Sequence, residues 1–257
     1  MNMRSDIERQ KAFATVFHDT MSEMNFFCKE NAFYQCSKAN RYVIEVFAEF
    51  FQNGSLYDIS IGYGSNYEPI ECSRTGLYLN GYLGVTEYAA ILDDKMRRER
   101  QRMEGEARLP IISEYLKKTV LPSFVKTYAP MLNGITSLHE YLKAEEVLFE
   151  QECELGYNIT GGACEETALG YLSLGNGESA LRICQKIPGY YQKYIQNVYY
   201  DEELVAYANR KIDSAIAMGN QIASGSIEEL LAQTEARDVQ SMKACTEFFG
   251  EDLYATS

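Results

Sequence analysis

The spacing of the apolar residues changes along this chain, and that change restricts its fold more than any other feature. Between residues 41 and 63 apolar side chains alternate with other residues on both sides of Asn53-Gly54. Asn-Gly is typical of two-residue hairpin turns because both residues tolerate positive φ. From Thr86 onward the apolar residues recur every three or four positions, which is the period of an amphipathic helix. The chain therefore predicts an α+β fold, with a sheet near the N-terminus and helices after it.

An N-terminal helix is predicted to pack on this sheet. Ser5 and Glu8 form a capping box, and apolar residues at helical spacing follow it over roughly 5–23. In the third of the predicted strands, Glu45 belongs to the polar face. The pattern indicates an antiparallel β-meander of four to five strands, at 26–30, 32–37, 41–51, 56–63 and 77–83.

Prolines, glycines and capping residues divide the rest of the chain into helices. Pro122 is predicted to kink or restart a helix that begins at Pro110, and Pro130 to end it. Capping boxes at Ser137–Glu140 and Ser226–Glu229 predict two further starts. Pro188-Gly189 is predicted to end a helix. The remaining predicted helices lie at 163–174, 178–187, 190–199, 202–218 and 227–249.

The acidic residues are concentrated in the second half of the chain. Residues 1–137 hold 16 Lys and Arg against 17 Asp and Glu, whereas residues 138–257 hold 8 against 20, a net charge of −12. The change near Asn133-Gly134 predicts a sheet-bearing part, 1–135, and an acidic, all-helical part, 136–257, which can also pack as one unit. Binding of nucleic acid through the helical part is disfavoured because phosphates require a basic surface.

Cysteine usage and hydropathy indicate a cytoplasmic protein. The seven cysteines are scattered and never spaced Cys-x-x-Cys, which favours reduced thiols over disulfides or a zinc site. The chain contains no run of eighteen apolar residues, and its first residues lack the apolar segment of a signal peptide. We therefore expect no membrane partner, no metal and no cofactor.

Residues suited to catalysis are few and poorly placed. His18 and His139 are the two histidines, and His139-Glu140-x-x-Lys143 has Lys where a zinc motif requires a second His. The segment Gly62–Tyr67 begins like a dinucleotide-binding loop but ends in Tyr. Cys164 follows two glycines near a predicted helix start, where a thiolate would be favoured, but a catalytic thiol also needs a His base, so a small buried Cys is the favoured interpretation. A non-enzymatic role is favoured.

A tyrosine-rich segment is the candidate binding site. Its rings are apolar and its hydroxyl groups polar, which suits a binding surface, although packing at the edge of a helical core is the alternative. The candidate residues are Tyr190, Tyr191, Tyr194, Tyr199, Asp201, Glu202 and Glu203.

The densest cluster of basic residues lies in Lys95–Arg102. Opposite charges four residues apart over 93–108 indicate a solvated helix with salt bridges rather than a nucleic-acid patch. Docking of this helix onto the acidic half, in the same chain or in a partner subunit, is the alternative.

Two resemblances bear on architecture. In 163–188, the order Ala168, Tyr171, Gly175 and Ala180 resembles the small and aromatic positions of a tetratricopeptide unit, which implies an antiparallel helix pair. Over residues 5–150, the segments "MNFFCKENAFYQCS", "ISEYLKKTVLPSF" and "SLHEYL", with Asn53-Gly54, resemble an uncharacterised bacterial family catalogued as a domain of unknown function. That resemblance implies an immunity or accessory protein and supplies no site residues.

Together these features predict a non-enzymatic protein that presents an acidic helical surface to a basic protein partner. The alternative is a small-ligand-binding protein or enzyme with a pocket lined by carboxylates and tyrosines between the sheet and the helices. The sequence gives no basis for predicting an oligomeric state.

Overall fold

The computed structural model describes residues 3–37, 41–50, 57–65, 70–73, 76–79, 81–84, 113–114, 116–155, 163–197 and 202–250. A π-helical segment, Leu116–Val120, immediately precedes the second of the α-helices. The α-helices of the described residues are α1 Met3–Glu23, α2 Leu121–Thr127, α3 Ala129–Leu132, α4 Leu138–Leu155, α5 Ala163–Ser173, α6 Gly177–Asn197, α7 Glu202–Ser224 and α8 Glu228–Phe249.

The strands of the described residues fall into two groups. One sheet has the order β1-β2-β3-β4-β7, and β5 and β6 form a separate antiparallel pair. β1 and β2 are also antiparallel, with Phe27 opposite Tyr34. The strands are β1 Phe27–Lys29, β2 Ala32–Ser37, β3 Tyr42–Phe50, β4 Tyr57–Ser65, β5 Glu71–Ser73, β6 Gly76–Tyr78 and β7 Gly81–Gly84.

The predicted α+β class is confirmed: a helix at the N-terminus, an antiparallel sheet and a mostly helical remainder. The predicted meander of four to five strands is not confirmed in that form. Its last strand, 77–83, covers the end of β6 and the beginning of β7, which belong to different sheets. The hydrophobic pattern does not reveal this break because both short strands contain apolar residues.

The chain divides into two compact units. Unit 1 comprises 1–35, 44–62 and 84–135, and unit 2 comprises 36–43, 63–83 and 136–257. One division falls between Ile135 and Thr136, but each unit also takes segments from the sheet-bearing half. That residues 1–135 and 136–257 are separate domains stays a prediction.

Aromatic side chains form the centre of unit 1. Phe13 and Phe17 of α1 are fully buried, with ring centroids 4.6 Å apart. Phe13 meets Phe33 of β2, and Phe17 meets Phe124 of α2, each at 5.6 Å with the rings edge to face. The amphipathic pattern of the first helix was therefore interpreted correctly, but α1 begins at Met3, two residues before the predicted cap Ser5.

Glu45 departs from the predicted alternation in β3. It was assigned to the polar face, yet Glu45 is buried together with its neighbours Ile44 and Val46. The hydroxyl group of Tyr34 donates a hydrogen bond of 2.6 Å to Glu45 Oε1, which compensates for part of the lost hydration. Both faces of this part of β3 are covered, so alternation could not identify a solvent side.

Helices α4 to α7 pack in chain order within unit 2, each against the next, and α8 packs against α5, β5 and β6. The start of α4 is the predicted capping box, since the Glu140 amide donates to Ser137 Oγ at 3.3 Å. The Glu140 carboxylate reaches one residue further back than predicted, accepting 2.8 Å and 2.6 Å bonds from the backbone and hydroxyl of Thr136.

The predicted turn between the helices of the 163–188 pair is present. Gly175 has φ of +72°, and the amides of Gly175 and Asn176 donate to the carbonyls of Leu172 and Tyr171, which closes the end of α5. Asn176 Oδ1 then accepts the Ser179 amide at 3.0 Å and caps α6.

Three boundary predictions are corrected. Pro188 does not end a helix, because α6 continues through it to Asn197. Pro130 lies in the first turn of α3, where its missing N–H costs nothing, instead of ending a helix. Ser226 does not cap α8, whose N-cap is Ile227 without a side-chain hydrogen bond. Pro122 lies in the first turn of α2, as a restart requires.

Candidate functional site

Glu146 of α4 is held by both of the helices that follow it. Arg182 of α6 donates two hydrogen bonds of 2.7 Å to its carboxylate, and the hydroxyl of Tyr171 of α5 donates a third of 2.7 Å. Burial acts to raise the pKa of Glu146, but the bonds from Arg182 and Tyr171 outweigh burial and hold it below its ordinary value. Burial and the same carboxylate raise the pKa of Tyr171. This carboxylate is a structural junction of three helices.

A second carboxylate repeats the arrangement one turn further along α4. Lys186 Nζ donates to Glu150 at 2.7 Å, and the hydroxyl of Tyr190 donates to it at 3.1 Å. Both charge pairs, Glu146–Arg182 and Glu150–Lys186, join residues 36 positions apart. Residue numbers increase in the same direction along both helices, from Glu146 to Glu150 and from Arg182 to Lys186, so α4 and α6 are parallel. We call these two pairs the α4–α6 ladder.

The neighbouring Glu145 faces the interior. It is 1% exposed, and it accepts hydrogen bonds from the hydroxyls of Tyr141 at 2.9 Å and Thr167 at 2.8 Å. Tyr141 in turn stacks on Tyr42, with the rings parallel and 4.8 Å apart. Burial, with the nearby Cys36 and Glu140, raises the pKa of Tyr42 to about 12.

A third charge pair connects α5 with α7. Lys211 Nζ lies 2.9 Å from Glu165 Oε2, with both side chains largely buried. Burial acts to lower the pKa of Lys211, but the bond to Glu165 together with the charges of Glu165 and Glu166 outweighs burial and raises that pKa. Burial, with the charge of Glu165, raises the pKa of Cys184 to about 11. Cys184 is therefore not a nucleophile at neutral pH.

The structure brings only part of the predicted tyrosine site to the surface. Tyr191 and Tyr194 are buried, at 2% and 7% exposure, and Tyr191 packs edge to face on Tyr207 with centroids 6.2 Å apart. The hydroxyl of Tyr190 is used by Glu150. These positions favour the alternative of packing between helices. Glu202 and Glu203 are exposed in the first turn of α7, and Tyr199 and Asp201 lie outside the described residues.

The other candidate residues do not converge on a site within the described part of the chain. His18 and His139 are exposed on α1 and α4, as expected for helix-surface histidines. No group of three potential metal ligands occurs among the described residues. The side chain of Cys164 and the basic cluster Lys95–Arg102 lie outside them. No helix of the described residues is both long and apolar enough to cross a bilayer.

An open groove of about 390 Å³ runs between α6 and α7. Its floor consists of buried Cys184, Ala215 and Gly219. Gly219 allows the helices to approach closely, since a Cβ there would lie 3.4 Å from Cys184 Cβ. The residues on the rims are Leu181, Gln185, Pro188, Ile216, Asn220 and Ala223. Among these Ile216 is 49% exposed, so a large apolar side chain faces solvent at the mouth of the groove.

The groove and the ladder occupy opposite sides of α6. At about 100° per residue, the direction of Leu181, Cys184 and Pro188 lies roughly 150° around the helix from that of Arg182 and Lys186. Thus α6 uses one side to pair with α4, and its other side, together with α7, is open as far as the described residues extend.

The charged residues that flank this groove on α6 and α7 are acidic. Glu178 and Asp213 are exposed and lie one turn before Leu181 and Ile216 on their helices. The exposed cations of these helices, Arg182, Lys193 and Arg210, point more than roughly 100° away from the groove.

Sequence reasoning missed this groove for a physical reason. Periodicity identifies an apolar face on each of its helices, but it does not show which part of that face stays uncovered. The usable signal was the combination of Pro188, Gly219 and neighbouring alanines, which indicates close helix packing beside a shallow surface.

A scan against protein-family models, a search of curated proteins and a search of solved structures found no match to this chain.

Proposed function

We propose that this chain is a non-enzymatic protein-binding protein, of immunity or accessory type, whose acidic helical surface in unit 2 holds a basic protein partner. The observation that carries this proposal is the set of exposed carboxylates on the helices that follow α5. These carboxylates are Glu178, Glu202, Glu203, Asp213, Glu228, Glu229, Glu235 and Glu247.

The ion pairs formed by basic residues of the helical unit support the proposal. Three of the 8 cations in residues 138–257 are Arg182, Lys186 and Lys211, and all three pair with carboxylates inside the helical unit. Among the described residues of that segment, eight carboxylates and five cations are exposed, and one of these cations, Arg182, is paired, so the exposed side chains keep an acidic surplus. A surface of one sign accelerates the encounter with a partner of the opposite sign and repels nucleic acid.

We place the protein in the cytoplasm, among bacterial proteins. Cys28 and Cys184 carry free thiols, which supports a reducing compartment. The pocket lined by carboxylates and tyrosines stays a prediction. The engagement of Glu146 and Glu150 with Tyr171 and Tyr190 makes those side chains poor candidates for it.

The proposal is tested by comparing two variants of equal net charge. The first neutralises four exposed carboxylates of α7 and α8: Glu202→Gln, Asp213→Asn, Glu228→Gln and Glu229→Gln. The matched control neutralises four exposed carboxylates outside that region: Asp19→Asn, Glu23→Gln, Glu30→Gln and Glu114→Gln. Each full-length chain, tagged and immobilised, is used to recover partners from a native lysate at low and at high salt.

We expect the unmodified chain and the control variant to retain the same basic protein at low salt and to release it at high salt, because exposed charges are screened. The α7–α8 variant should retain much less of it. Equal retention by both variants, or retention that salt does not change, would rule out the acidic surface as the binding determinant.

A further inference from the structure

Helix α6 packs against the acidic helices α4 and α5. This arrangement indicates which kind of helix would fit the open groove between α6 and α7. α6 packs against α5 and reaches α4 through the ladder, so its Arg182 and Lys186 meet Glu146 and Glu150. An amphipathic helix with basic residues along one edge thus completes the α4–α5 pair. The α6–α7 pair is the next in chain order, and its corresponding outer side has no such helix among the described residues.

The groove has the chemistry to accept a helix of the same kind. Leu181, Pro188 and Ile216 supply apolar surface along about two helical turns, and Gly219 keeps the floor low. The exposed carboxylates of Glu178 and Asp213 flank it, while the cations of the two helices point elsewhere. An apolar stripe with acidic borders is complementary to an amphipathic helix whose apolar stripe has Lys or Arg on its borders.

Pro188 adds a polar feature to the same groove. Because proline has no N–H, the carbonyl of Cys184, four residues earlier, lacks its usual helical donor. Both residues line the groove. A Lys, Arg or Gln side chain of a bound helix could donate to this carbonyl, which favours a partner with donor groups beside its apolar stripe.

We infer that the α6–α7 groove is the docking site for one amphipathic, basic α-helix of a partner protein. The inference rests on the proposed function, since it assigns that function to a particular surface and a particular kind of partner element. Ile216 is the anchor, and Glu178 and Asp213 select the charge of the helix.

The test uses synthetic peptides of about 15 residues, each carrying a fluorescent label, and measures binding to the full-length chain by fluorescence anisotropy. The first peptide has Leu on one face and Lys on its borders. The second has Glu in place of Lys. The third has the composition of the first in an order without helical periodicity. The protein variants are Ile216→Asp, Ala223→Arg at another exposed groove position, and the matched control Val239→Asp on α8, where Val239 is 65% exposed.

We expect the amphipathic Lys peptide to bind and the other two to bind at least ~10-fold more weakly. Ile216→Asp should weaken binding of the Lys peptide by at least ~10-fold, because it removes a large apolar contact. Since the new carboxylate would attract this peptide, any loss is due to the lost apolar contact. Ala223→Arg should weaken it as well, and Val239→Asp should leave the affinity within about twofold.

Several results would overturn the inference. One is equal binding of the periodic and non-periodic Lys peptides, and another is an affinity that neither Ile216→Asp nor Ala223→Arg changes. If the Lys peptide then loses affinity for the α7–α8 charge variant, the acidic surface still binds partners and only the groove assignment fails. A concentration-dependent dimer that Ile216→Asp abolishes, measured by sedimentation, would assign the groove to a second copy of the chain instead.

Discussion

Glu146 illustrates how single residues in the helical unit are stabilised by groups far away in the chain. Its carboxylate accepts from Tyr171 and Arg182, which are 25 and 36 residues further on. The Arg182 side chain is 44% exposed, so solvent weakens the charge pair. The hydroxyl of Tyr171 is more sheltered, and exchanging its charged acceptor for a neutral amide weakens its hydrogen bond.

Glu146→Gln should destabilise the protein by about 1–2 kcal/mol at neutral pH. The folded pKa of Glu146 is lowered, so its contribution is present above the unfolded pKa of about 4.3 and is lost as pH falls through the folded pKa. The difference in unfolding free energy between variant and parent should therefore shrink as pH falls below about 4. Urea unfolding followed by circular dichroism across this pH range measures it.

Glu114→Gln is the matched control for this prediction. Glu114 also pairs with a lysine, Lys118, which lowers its pKa, but both side chains are well exposed. We expect no measurable change in stability at any pH. A pH profile of Glu146→Gln parallel to that of the parent chain would contradict the assigned role of the carboxylate.

Local residue roles were accessible from the sequence, and distant ones were not. The box at Ser137 and Glu140 was predicted because both residues act within one helical turn. The partners of Glu146 were not predicted, because the sequence contains no local pattern that pairs residues 36 positions apart on two different helices. Tyr191 was assigned to a candidate binding surface, but it is buried. The sequence could not distinguish the two positions, because a tyrosine side chain suits a surface and a core edge equally well.

At the scale of elements, the closest approach described between α4 and α5 depends on Gly170. A Cβ added there would lie 2.6 Å from Leu142 Cδ2, 3.1 Å from Cδ1 and 3.4 Å from Cγ. Leu142 is fully buried, so it has little room to move aside. The absence of a side chain at residue 170 therefore sets the separation of these helices.

Gly170→Ala should destabilise the protein by about 1–3 kcal/mol, because overpacking outweighs the gain in helix propensity. Gly189→Ala is the matched change within a helix where no atom lies within 4 Å of the new Cβ. It should stabilise by about 0.5–1 kcal/mol. Guanidinium unfolding of both variants measures the difference, and destabilisation of equal size in the two would show that packing at Gly170 is not the cause.

Helix existence was more predictable than helix ends. Seven of the predicted helical stretches correspond to α1, α4, α5, α6, α7 and α8, with 178–187 and 190–199 both in α6, because their apolar periodicity is long. Pro188 was assigned as a terminator, but tertiary packing of Ile187 and Tyr191 keeps α6 helical beyond it. The short strands β6 and β7 were merged into the one predicted strand 77–83, and β5 was not predicted, because three or four residues carry too little pattern.

At the scale of the whole molecule, the acidic helices belong to a compact unit that also contains residues from the first part of the chain. Unit 2 includes 36–43 and 63–83 as well as 136–257. Within it, Arg41 lies 3.2 Å from Asp238 of α8, and the Ile70 amide donates to Ser241 at 3.0 Å. Asp238 and Ser241 are buried, so their polar atoms depend on residues from the first part of the chain.

A fragment of residues 136–257 should therefore be less stable than the same helices in the full chain. It lacks Arg41 and Tyr42, which leaves Asp238 and the stacked face of Tyr141 uncovered. We expect a lower denaturation midpoint and binding of a hydrophobic dye, measured by circular dichroism and fluorescence.

The substitution Arg41→Ala in the full chain serves as a control for the fragment. Of the contacts that the fragment lacks, it removes only the one with Asp238, and it should lower the free energy of unfolding by less than the truncation does. A fragment as stable as the full chain would show that 136–257 folds autonomously, as the distribution of charge along the sequence suggested.

The α4–α6 ladder also fixes how far α4 and α6 are shifted relative to each other along their axes. If α6 slid by one turn toward the C-terminal end of α4, Arg182 would still meet an acid at Glu150, but Glu178 would arrive opposite Glu146. A slide of one turn the other way would place Arg182 against Leu142. The order of charges thus makes both neighbouring alignments less favourable. One brings two carboxylates together, and the other places Arg182 opposite an apolar side chain, so the observed register is selected.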